Sequence, residues 1–65
     1  MDDLTKVNHL IEHWIEHERQ HIAEYEQWAK KIQNHKGGAK TASALLEAAG
    51  KLHDSVEILM RLSDQ

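Results

Sequence analysis

The sequence predicts an all-α protein, an antiparallel two-helix hairpin that dimerises as a coiled coil or a four-helix-bundle-like assembly. Three observations lead there. No proline occurs, and glycine is confined to Gly37, Gly38 and Gly50, so the chain has one obvious break, at Asn34-His35-Lys36-Gly37-Gly38. Apolar residues recur at three- and four-residue spacing on both sides of that break. At 65 residues with no cysteine, the chain buries little apolar surface and has no disulfide to compensate, which makes a metal or a second copy the expected source of added stability.

One domain spans residues 1–65, with helix 1 over about 3–35, a turn over 36–39 and helix 2 over about 40–63. Asp2 or Asp3 suits the N-cap of helix 1 and the positive end of its dipole. Lys30, Lys31 and Lys36 suit the negative end, and Gly37 the left-handed stop. On a wheel of 100° per residue with Trp14 at zero, Val7, Ile11, Trp14, Tyr25, Ala29 and Ile32 fall within about 60° of one another. Leu4, Leu10, Ile15, Ile22 and Trp28 flank them. On helix 2, Leu45, Ala48, Ala49, Leu52, Val56 and Leu59 form the matching stripe, while Glu47, Lys51, Asp54 and Glu57 face away. Helix 1 is the longer, so its first ten or so residues overhang, and Leu4, Val7, Leu10 and Ile11 call for cover from a partner chain. A homodimer is expected.

Composition narrows the function. Without thiolates, any metal must rest on imidazole and carboxylate. A net charge of −3, from 11 acidic and 8 basic side chains, argues against nucleic acid as a partner. No apolar run approaches the roughly 18 residues of a membrane span, and Met1-Asp2-Asp3 does not open a signal sequence, so a cytoplasmic protein with no membrane association is expected.

The chemistry-bearing feature is a run of four histidines one helical turn apart: His9, His13, His17 and His21. Because i, i+4 advances 400°, they lie at about −140°, −100°, −60° and −20° from Trp14 and spiral toward the apolar face. His9 should be solvated, His13 flanking, His17 at the core boundary and His21 inside it beside Glu18. Neighbouring imidazoles at this spacing chelate one cation easily, whereas a single ion spanning His13 to His21 must bridge about 12 Å along one helix. Two copies of helix 1 meeting across a two-fold axis remove that difficulty by supplying four to six nitrogen donors. Imidazole suits Ni(II), and also Zn, Cu or Co, with Irving–Williams order unable to choose among them. Trp14 can close an apolar wall over the site.

The alternatives are an internally satisfied Glu18–His21 pair with the outer histidines as solvated surface, and a structural or pH-sensitive dimerisation module. The segment His17-Glu18-Arg19-Gln20-His21 also fits H-E-x-x-H, but two helices offer neither the third ligand nor the substrate cleft of a metalloprotease. Glu18-x-x-His21 echoes di-iron bundles, yet helix 2 offers no inward carboxylates. No enzymatic activity is expected, and His35 and His53 read as surface.

The run His13-Trp14-Ile15-Glu16-His17-Glu18-Arg19-Gln20-His21, in the spacing H-W-x-x-H-x-x-x-H, resembles the nickel-site motif of the CooJ family, the histidine-rich accessory proteins of carbon monoxide dehydrogenase maturation. The surrounding Leu10 to Lys31 segment is similar to it too. The resemblance implies a cytoplasmic nickel chaperone: a dimeric helical coiled coil that binds Ni(II) through His13, His17 and His21, with Trp14 adjoining. Its implied partners are carbon monoxide dehydrogenase or that enzyme's maturation proteins. Family members that store nickel carry a histidine-rich C-terminal tail, whereas this sequence closes on Ser63-Asp64-Gln65. The helical site is therefore expected without bulk storage.

Overall fold

A computed structural model, describing residues 2–63, contains two helices: α1 over Asp3–Ile32 and α2 over Gly38–Ser63. They pack along their lengths as a hairpin measuring 52 × 16 × 15 Å. The Asp2 carboxylate caps α1 by accepting the Thr5 backbone N–H at 2.8 Å, and the Lys6 N–H bonds the Asp2 carbonyl at 3.1 Å. Two donors of the first turn are thereby satisfied.

The turn is shifted from the expected 36–39 to 33–37. Helix α1 stops at Ile32 and not His35, and α2 starts at Gly38, ahead of position 40. The chain reverses through backbone bonds from the Gln33 N–H to the Ala29 carbonyl (3.1 Å), His35 N–H to Ile32 carbonyl (3.0 Å) and Gly38 N–H to His35 carbonyl (2.8 Å). Gly37 takes the left-handed conformation at φ 76°, yet it stands next to the start of α2 and is not the C′ stop of helix 1, because α1 ends at Ile32 and is capped by Gln33. Gly38 is buried, and a Cβ there would overlap the Ile32 carbonyl. Two adjacent glycines with different duties make the turn tighter than a single C-terminal glycine implies.

The seam between the helices is a heptad repeat. On α1 it runs Ile11, Ile15, Glu18, Ile22, Tyr25, Ala29 and Ile32; on α2 it runs Ala42, Leu45, Ala49, Leu52, Val56 and Leu59. Every one of these is buried or half-buried. Ile11, Ile15 and Val56 form the best-shielded cluster, with Ile22, Leu59 and Met60 packed around it. Glu47, Lys51, Asp54 and Glu57 face solvent, as the wheel requires.

Trp14 is a correction. Placed at the centre of the core stripe by the wheel, it is 43% exposed, while Ile15, assigned to the flank, is 7% exposed. The three-four repeat through Trp14 continues into His17, His21 and Glu24, whereas the repeat through Ile15 meets only one charged residue, Glu18. Turning α1 toward the second repeat buries more apolar surface and fewer polar groups. The overhang is also shorter than expected. At 30 and 26 residues the helices measure about 45 and 39 Å, and Ile11 is already enclosed. The uncovered part is residues 3–9, with Leu4 71% exposed. No helix among the described residues is long and apolar enough to cross a membrane.

Candidate metal centre

The repeat that α1 does not use against α2 becomes the surface of interest. Displaced by one residue from the seam, it runs Val7, Leu10, Trp14, His17, His21, Glu24 and Trp28, again at three-four spacing. Val7, Trp14 and Trp28 are conspicuously exposed for their size. On α2 the corresponding flank is Ala48, Ser55 and Leu62, bordered by Leu52 and Leu59 of the seam. In an antiparallel pair of right-handed helices both flanks fall on the same side of the hairpin. One broad side therefore carries two apolar stripes, with His17 and His21 set into it.

The four histidines separate by position. His9, His13 and His17 are exposed, and His21 is half-buried. The inward spiral expected of the run is thus realised only at its last member; His17, expected at the core boundary, stays in solvent because α1 is rotated toward Ile15. The His17 and His21 rings lie 4.7 Å apart between centroids with an interplanar angle of 74°, and His21 lies 6.2 Å from the Tyr25 ring. Two imidazoles bound in line to one ion at about 2.1 Å, with 90–109° between them, have centroids roughly 4.5–5.3 Å apart. The His17–His21 spacing falls in that range with no ion present. His13 stands one turn earlier and makes no ring contact with them among the described residues. A three-donor set from His13, His17 and His21 does not assemble within one chain.

The Glu18–His21 pair of the alternative reading is not formed: among the described residues no hydrogen bond or ion pair joins them. Glu18 sits in the α1–α2 seam and His21 on the other stripe, about 60° away around the helix. Both are half-buried and reach water, and no buried side-chain polar atom is left unsatisfied among the described residues. No strand flanks the H-E-x-x-H segment among the described residues.

One group was not anticipated. His53, Asp54 and Glu57 on α2 place a donor atom each within 4.8 Å of one another, all exposed, and His53 Nδ1 lies 3.7 Å from Glu57 Oε1. The sequence signal was the i, i+4 spacing of His53 and Glu57, overshadowed by the longer run on helix 1.

A family described as a domain of unknown function, DUF8180, matches residues 7–65. An uncharacterized protein of Archaeoglobus fulgidus is 36% identical over 61 residues, covering 94% of this chain and 95% of that one. No solved structure matches.

Proposed function

The chain belongs to the DUF8180 family, and we propose that this protein is a non-enzymatic nickel metallochaperone, a homodimer that holds Ni(II) through His13, His17 and His21. The observation that carries the reading is the His17–His21 spacing of 4.7 Å on an apolar stripe that α2 leaves uncovered. Pairing that stripe with its copy buries Trp14, Trp28 and Leu10 and brings two imidazole pairs toward a two-fold axis, with His13 of each chain free to complete the donor set. The H-W-x-x-H-x-x-x-H resemblance supports nickel over the other cations imidazole accepts, Zn, Cu and Co. It also names the recipients, carbon monoxide dehydrogenase or its maturation proteins. Glu18 and His9 lie outside the ligand set.

The role asks for capture and release, and a donor set of neutral imidazoles provides both, because protons compete with the metal for the same lone pairs. The test is titration of metal-free protein with Ni(II), alone and with His13, His17 and His21 replaced by alanine. Tight binding by the native chain and its loss in the triple variant are expected, with the oligomeric state unchanged. Equal affinity in both would overturn the assignment.

A further inference from the structure

Beside α1's Arg19 and Ile22, α2 turns out His53, Val56, Glu57 and Met60 to line an open groove of about 400 Å³. Arg19 and His17 are two residues apart, about 200° around the helix, so this groove opens on the flank of the hairpin opposite the His17–His21 stripe and level with it. A partner covering that stripe leaves the groove in solvent.

We propose that His53, Asp54 and Glu57 form a second divalent-cation site, for a borderline ion such as Zn(II), at the mouth of this groove. The donors are already gathered. One imidazole nitrogen and two carboxylate oxygens lie within 4.8 Å of one another, so short side-chain rotations bring all three to one ion. The His53–Glu57 contact of 3.7 Å is a near-miss for a hydrogen bond and leaves both groups able to turn. Charge favours a cation too. Among the described residues neither Asp54 nor Glu57 is paired with a lysine or arginine. Arg19, across the groove on α1, directs its Nη2 to the Met60 Sδ at 3.1 Å and not to Glu57. The groove supplies room for the waters that must fill the remaining positions, since three protein ligands are one short of a closed tetrahedral shell. Exposure and a mixed N/O/O set make this the weaker site and the faster to exchange.

The test isolates this site from the run on α1. The full chain carrying His13→Ala, His17→Ala and His21→Ala is titrated with Zn(II), with calorimetry for stoichiometry and the His53 and His35 ring resonances as reporters. About one ion per chain is expected, with the His53 ring shifting and His35, in the turn, unmoved. Glu57→Gln should weaken binding by at least about tenfold, and His53→Ala with Glu57→Gln should abolish it. Should the triple variant lose its helicity, the same two α2 substitutions in the otherwise native chain must remove a weak phase and leave any tight phase intact. A His53 ring unmoved by Zn(II), or binding indifferent to both α2 substitutions, overturns the proposal. Neither result depends on whether the α1 histidines bind nickel.

Discussion

The His17 and His21 rings stand edge to face, 4.7 Å apart at 74°, on the side of α1 that α2 does not cover. That relation sets the hierarchy within the run. If this pair is the chelate, His17→Ala and His21→Ala should each lower Ni(II) affinity at least about tenfold, the least expected for losing a direct ligand. His9→Ala should leave it unchanged. His13→Ala should fall between if His13 joins only in the dimer. Calorimetric titration of the four variants checks the order.

The hairpin's stability rests on few side chains. Ile15→Ala should lower it by about 2–4 kcal/mol, because Ile15 is in the best-shielded cluster with Ile11 and Val56. Trp14→Ala should cost the isolated protomer much less, since the indole is 43% exposed, yet it should weaken self-association. Urea denaturation at several protein concentrations separates the effects: Ile15→Ala moves the midpoint at every concentration, whereas Trp14→Ala changes its concentration dependence.

The glycines differ in a way thermal melting can read. Gly50 has open space around its missing Cβ inside a helix, so Gly50→Ala should stabilise by up to about 1 kcal/mol. Gly38→Ala should destabilise strongly, because the added carbon meets the Ile32 carbonyl. A Gly38→Ala variant that melts like the native chain would contradict the turn geometry.

Asp2 supplies the pH dependence. Its hydrogen bonds from Thr5 hold the carboxyl below its ordinary 3.8. A depressed carboxylate contributes stability that is present above the unfolded value and is lost as pH falls through the folded one. The first turn of α1 should therefore fray only under acid, below about pH 4, and Asp2→Ala should fray it at neutral pH. Amide exchange at Thr5 reports both.

Much of this was legible in the sequence, for stated reasons. Proline absence, the Gly37-Gly38 break and three-four apolar spacing fix two helices and their antiparallel pairing. Asp2 is readable as a cap, and Glu47, Lys51 and Asp54 as an outer face. The rotation of α1 was not legible from a wheel centred on Trp14, because two adjacent heptad stripes compete and only the presence of α2 decides that Ile15 is enclosed. Turn length escaped too, since the clash that demands glycine at position 38 is with the Ile32 carbonyl, a three-dimensional neighbour. In the site, i, i+4 spacing allows the His17–His21 contact but does not select it, since His13 and His17 share that spacing and make no ring contact among the described residues. The His53–Asp54–Glu57 group carries the same i, i+4 signal through His53 and Glu57, but that the Asp54 donor joins them is seen only in three dimensions.

The most direct measurement is Ni(II) titration of the metal-free protein at neutral pH, followed by mass determination in solution. A tight phase saturating at about half or one ion per chain on a dimer is expected, removed by His13→Ala, His17→Ala and His21→Ala together. The absence of a tight phase, or its survival in the triple variant, would contradict the nickel assignment.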